Sequence, residues 1–219
     1  MSVTKTDFDV VVVGSGPNGL AAAVTMQQAG LSVLLVEARN TIGGGLRSAE
    51  LTLPHFVHDV CSAIHPLAIA SPFLETLPLK AYGLEFIIPP IAAAHPFDDG
   101  TAAVLHGSVQ QTAQAFGEDE QSYLELMTPL VKDWPHVVRD VLGPLRFPRH
   151  PIAATRFGLK AITSATRLAN RFRSKEARGL WAGMAAHSMQ SLSNTATSAA
   201  ALVLMAAGHS SGWPIPRRG

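Results

Sequence analysis

Phe8-Asp9-Val10-Val11-Val12-Val13-Gly14-Ser15-Gly16-Pro17-Asn18-Gly19-Leu20 opens a stretch that runs to Glu37, and its reading decides the fold. Asp9 to Val13 is a β-branched run short enough for a buried strand. Gly14, Gly16 and Gly19 follow in G-x-G-x-x-G spacing. Pro17 to Gln28 predicts a helix, with Leu20, Ala23, Val24 and Gln27 at helical spacing and Gly30 placed to end it. Ser32 to Val36 predicts a second strand, closed by Glu37. The three glycines serve different physical ends. One permits the tight turn, one lets the backbone approach a pyrophosphate, and one lets helix and strand pack closely. The anion would rest on the free N–H groups at the helix start, favoured by the helix dipole. Glu37, 23 positions beyond Gly14, can accept hydrogen bonds from the two ribose hydroxyls of an adenosine. The same carboxylate repels a 2′-phosphate, so the pattern favours FAD or NAD over NADP.

A glycine motif alone is weak, since glycine turns are common for purely structural reasons; here the strand, the helix and the acid accompany it. The next residues, Ala38-Arg39-Asn40-Thr41-Ile42-Gly43-Gly44-Gly45-Leu46-Arg47-Ser48, resemble the second FAD signature of the amine oxidase and phytoene desaturase superfamily, in which an E-x-R stretch runs into a Gly-Gly pair. In that family the glycines let the backbone pass the flavin pyrophosphate and ribityl chain, so the resemblance implies FAD. Phe56 to Asp59 resembles the short strand that follows the signature, and Gly83 to His106 the strand and hairpin entry into the substrate domain. The specific motifs lie in about the first 48 residues. One departure stands out. Many members carry Arg directly after the Gly-Gly pair, where this chain has Gly45, with Arg47 two places later.

The resemblance implies an α/β fold: a Rossmann-like FAD-binding portion over residues 1–82, then a partial, mostly helical substrate domain over 83–219. Family members are usually about twice as long, so the chain, which stops at Pro216-Arg217-Arg218-Gly219, is expected to be an N-terminal half.

Charge and cysteine content narrow the classes. The formal net charge of +1 argues against nucleic acid as a main partner. Ten of the 17 basic residues fall between Arg139 and Arg178, with only Asp140 and Glu176 as acids among them. Cys61 is the single cysteine, which rules out an internal disulfide or redox dithiol and is expected to be a small buried residue. Lys5 and Asp7 precede only a short apolar run with no cleavage-site pattern, so no leader is read and a cytoplasmic location is expected. Ala196 to Ala207 is too short for a bilayer core of about 30 Å and predicts a buried helix.

Farther along, Glu85 to Ile88 predicts a strand. Ile91 to Phe97 and Thr101 to His106 predict a hairpin about Asp98-Asp99-Gly100, and Ser108 with Gln111 a capped helix start. Helices are expected over Glu118 to Leu142, interrupted near Pro129 and Pro135, and over Ala154 to Phe172, Lys175 to Met189 and Thr195 to Ala207. Arg156, Lys160, Arg167 and Arg171 would share one face of a continuous helix, within about 60° of one another. Such a helix can lie on an anionic membrane surface or simply pack on its own domain. His55, His58 and His65 lack the further ligands of a recognised metal spacing, and no metal is expected. His187, Ser188 and Asp140 lack the nucleophile elbow of a hydrolase triad.

The resulting expectation is a flavin-dependent oxidoreductase, or its FAD-binding half, acting on a small organic substrate. Gly14, Ser15, Gly16, Asn18, Gly19, Glu37, Arg39, Gly43 and Gly44 are the expected cofactor residues, with Asp59 and His65 approaching the flavin. No catalytic acid or base is assigned. Two alternatives stay open: a catalytically silent fragment or interaction module that associates with a missing C-terminal half, and an NAD-dependent dehydrogenase.

Overall fold

The computed structural model describes residues 7–217; Lys5, Arg218 and Gly219 lie outside them. The chain divides into two compact units, one reaching to Ile64 and taking in Pro216 and Arg217, the other spanning His65–Ile215.

The first unit begins with β1 (Val10–Val13), α1 (Pro17–Gln28) and β2 (Val33–Val36). The strands pair in parallel with Val10 opposite Val33 and Val13 opposite Val36, which a crossover helix makes possible. Side chains alternate about the strand pair. Val10 and Val12 are half-buried, whereas Val11 and Val13 are 58% and 83% exposed. The two ends of the pair are fastened by serine–carboxylate contacts. At the entry, Asp9 Oδ2 accepts from the Ser32 N–H and hydroxyl at 2.8 and 2.7 Å; at the exit, Ser15 donates to Glu37. After a 3₁₀ turn at Gly44–Leu46, β3 (Ser48–Glu50) pairs antiparallel with β4 (Val57–Asp59). Ser62 N–H to Gly45 O and Val60 N–H to Arg47 O, at 2.9 and 2.8 Å, extend that ladder.

The second unit holds α2 (Pro66–Ile69), β5 (Phe86–Ile87), the hairpin β6 (Ile91–Pro96) and β7 (Ala102–His106), then α3 (Val109–Gln114), α4 (Glu120–Val141), α5 (Pro151–Ala161), α6 (Ala165–Ala169), α7 (Lys175–Ala186) and α8 (Ser198–Ser211). Its core gathers Leu105 from the hairpin, Tyr123, Leu126 and Met127 from α4, Leu180, Trp181 and Met184 from α7, and Leu202 and Met205 from α8. Ser108 caps α3 by accepting the Gln111 N–H, as its sequence predicts. Leu67 and Ala70 of this unit pack on a cluster built from Trp134, Val137, Ala206 and Ala207.

Four helix expectations are corrected. α4 runs unbroken through Pro129 and Pro135. Seven buried side chains on one face, Tyr123 to Val138, contribute roughly 10–20 kcal/mol, which exceeds a cost of about 3 kcal/mol for each interior proline. The expected basic helix over 154–172 is broken at Ile162 to Ser164. There the Ile162 and Thr163 carbonyls accept the N–H groups of Ala196 and Ser198, Thr197 Oγ1 accepts the Ala165 N–H, and Ser164 caps a new helix. Arg156 and Lys160 therefore sit on a different helix from Arg167. Finally, α7 ends at Ala186 before Met189 (φ 54°), and α8 starts at Ser198 after Ala196 (φ 66°). Among the described residues, no helix is long and apolar enough to cross a membrane.

Candidate nucleotide-binding site

The site grows from the turn between β1 and α1. Gly14 leaves β1 at φ +94°, a conformation that favours glycine, and its N–H donates to the Val36 carbonyl at 2.7 Å. Gly16 caps α1, Pro17 occupies the first helical turn, and the turn holds no acid. The helix's hydrogen bonding starts with Leu20 N–H to Gly16 O at 2.9 Å. The N–H groups of Asn18 and Gly19 precede it and have no partner among the described residues, at the positive end of the helix dipole. A Cβ on Gly19 would lie 1.9 Å from the Gly14 carbonyl oxygen. Helix and strand can approach this closely only with glycine at that position.

The second glycine loop docks on the first. Gly43 N–H donates to Ser15 O at 3.0 Å, and a Cβ on Gly44 would come within 2.8 Å of Gly16 Cα. Gly43 and Gly44 both take positive φ. Arg47 folds back so that its Nε donates to Gly44 O at 2.8 Å. The two Gly-rich segments, touching through residues 28 apart in sequence, thus form one surface made largely of backbone, with the Ser15 hydroxyl 3.4 Å from the Gly43 N–H.

Glu37 anchors this surface. Its Oε2 accepts both the Ser15 N–H (2.9 Å) and the Ser15 hydroxyl (2.5 Å), and its Oε1 accepts the Arg39 N–H (3.0 Å). These donors, Ser15 first, hold the carboxyl at about 2, well below the usual carboxylate range. Ser15 is the one fully buried residue among the described residues of this unit. The structure therefore brings Gly14, Ser15, Gly16, Asn18, Gly19, Glu37, Arg39, Gly43 and Gly44 to one end of the β1–β2 pair. Arg47 is an addition: its brace on Gly44 has no counterpart in the spacing of the motif.

The other expectations fare differently. Asp59 lies on β4, where Oδ1 accepts the Ser48 hydroxyl at 2.7 Å. His65 belongs to the second unit, where it precedes α2 and its N–H donates to Pro214 O. Cys61 is exposed, not buried. His58 Nε2 lies 2.8 Å from Thr52 Oγ1, and no group of three metal-ligating side chains occurs among the described residues.

A family model described as an NAD(P)-binding Rossmann-like domain matches residues 12–74. A limonene dehydrogenase polypeptide of Castellaniella defragrans is 37% identical over 108 residues, 49% of this chain and 19% of that protein. Digeranylgeranylglycerophospholipid reductase of Methanosphaerula palustris is 44% identical over 55 residues, 25% of this chain and 14% of that protein. Among solved structures, putrescine oxidase bound to putrescine gives a TM-score of 0.57 at 19% identity, covering 97% of this chain and 46% of its own. The chain thus spans less than half of that oxidase, and its matches reach a smaller share still of the two sequence relatives. Residues 12–74 resemble a Rossmann-like domain of the NAD(P)-binding kind, and the chain shares its fold with putrescine oxidase.

Proposed function

We propose that this chain supplies the FAD-binding half of a flavin-dependent oxidoreductase of the phytoene dehydrogenase-like type. The observation that carries the reading is the docking of the Gly43-Gly44 loop onto Ser15 and Gly16. It joins the two glycine loops into a continuous backbone surface, held by close backbone contacts that a Cβ at residue 19 or 44 would break. A dinucleotide with a long bridging chain fits such an extended glycine surface. Asn18 and Gly19 N–H groups would hold the pyrophosphate, and Glu37 the adenosine ribose. Glu37 is ionised at neutral pH, which opposes a 2′-phosphate and favours FAD or NAD over NADP.

Flavin, when bound, accepts a hydride from a C–H or C–N bond of an organic substrate. The chain's own share is to fix the nucleotide: the glycines admit it, α1 supplies N–H donors, and Ser15 keeps the Glu37 carboxylate aimed. Two of the relatives are named for a terpene and for an isoprenoid lipid, which supports a lipophilic isoprenoid substrate. Anaerobic mixing of the FAD-loaded protein with terpene, polyene and amine donors tests this. Bleaching of the flavin band by an isoprenoid supports the reading; bleaching by amines alone, or by none, contradicts it.

A second reading rests on the bare outer face of β1, where Val11 and Val13 are exposed. A parallel strand pair is ordinarily covered on both faces. On this reading the chain is a silent fragment that binds its missing half, and it would retain no flavin alone.

A further inference from the structure

We propose that the turn from α4 to α5, together with the outer face of α5, is a docking surface for an anionic phospholipid bilayer. From Val141 to Lys175 the sequence holds no Asp or Glu and eight Lys or Arg. Within this basic stretch, large apolar side chains stand in solvent: Leu145 fully, Phe147 at 84%, Ile152 at 76% and Leu159 at 64%. Ile152, Thr155, Arg156 and Leu159 recur at i, i+3, i+4 and i+7, share one side of α5 and line a shallow groove. Ala153 and Ala161 are buried on the inward side.

Beside the apolar tips lies a cavity of about 230 Å³, lined by His136, Arg139, Asp140, Arg146, Arg149 and His150. Arg139 reaches Glu75 at 3.5 Å and Arg146 reaches Asp140 at 3.8 Å. Arg149 makes no ion pair among the described residues. The His136 and His150 rings stack with centroids 3.7 Å apart. The cavity lining is therefore net cationic, with guanidinium groups suited to phosphate oxygens.

The alternation Leu145-Arg146-Phe147, followed by Arg149 and Ile152, matches a bilayer interface better than a protein partner. Apolar tips can enter the acyl boundary while the arginines meet headgroup phosphates. A second copy would bring the same arginines against these, and like charges repel. This surface also differs from the single basic helix expected over 154–172, since Arg167 lies beyond the break at 162–164. It does not depend on the nucleotide reading.

The test is flotation of the whole chain with vesicles of phosphatidylcholine alone or mixed with an equal amount of phosphatidylglycerol, at low and high salt. The variants are L145D/F147D and R146Q/R149Q, both at exposed positions, with circular dichroism to confirm that each remains folded. The proposal predicts salt-sensitive binding to the anionic vesicles, weakened roughly fivefold for each arginine removed and abolished by the aspartates. No binding to anionic vesicles, or binding unchanged in either double variant, overturns it. So does binding of inorganic phosphate without vesicle binding, or a dimer that these variants disrupt in the absence of vesicle binding.

Discussion

Ser15 donates both its backbone N–H and its hydroxyl to the same carboxylate oxygen of Glu37. This pair ties the glycine turn to the end of β2, and Asp9 with Ser32 does the same at the opposite end of the strands. In a unit whose described residues include just one fully buried side chain, polar clamps replace a hydrophobic core in holding register. The Glu37 carboxyl is depressed to about 2, so the clamp's contribution is complete above the unfolded value near 4.5 and is lost as pH falls through about 2. An acid titration followed by the Ser15 amide chemical shift should show a midpoint near 2. A midpoint near 4.5 would show that the clamp does not form.

Gly19 and Gly14 separate sterics from backbone strain. At Gly14 a Cβ meets nothing within 4 Å, but φ is +94°, so Gly14→Ala should cost about 1–2 kcal/mol. At Gly19 the Cβ would strike the Gly14 carbonyl, a backbone atom that cannot rotate away. Gly19→Ala should therefore disorder the turn, with first-unit amide resonances lost and those of the second unit kept. Equal effects from the two substitutions would contradict the close helix–strand contact.

Tyr123 and His209 make the second unit sensitive to acid. The Gly107 carbonyl can only accept, so His209 Nδ1–H donates to it at 3.2 Å, and Nε2 accepts the Tyr123 hydroxyl at 2.6 Å. Burial pushes His209 down to about 4 and pushes Tyr123 up. A histidine held neutral loses stability as the unfolded chain takes up protons first. Stability should thus be full above about pH 6.5 and fall toward pH 4, by up to about 3 kcal/mol. Denaturant melts across this range should show the loss, and His209→Gln should flatten it.

Asp119 is buried and accepts the N–H groups of Arg173 and Ser174 and the Ser174 hydroxyl. Burial acts to raise its carboxyl, but the hydrogen bonds from Ser174 and Arg173 outweigh it and leave the group below its ordinary value. Asp119→Ala strands these donors at the start of α7 and should cost about 3 kcal/mol, measured by chemical denaturation. Asp119→Asn should lose less, since its carbonyl still accepts.

The β1–α1–β2 order was legible from residues 9–37 because everything that specifies it is local: a β-branched run, three glycines and a helical period. The passage of α4 through Pro129 and Pro135 was not, because packing of Trp134 and its neighbours outweighs the lost backbone bonds. The break at Ile162 to Ser164 was equally hidden. It is fixed by Ala196, Thr197 and Ser198, more than thirty residues away, and no local period records such contacts. In the site, spacing marked out Gly14, Gly19 and Glu37, but not the direction of the Glu37 carboxylate toward Ser15 or the fold-back of Arg47 onto Gly44. Both depend on how two distant loops meet.

Whether residues 14–44 hold FAD is read from titration of the purified chain with FAD, followed by flavin fluorescence. Saturable, near-stoichiometric binding is expected, weakened about tenfold or more by Glu37→Ala. A folded protein that shows no saturable binding, or binds equally well without Glu37, would contradict the FAD reading.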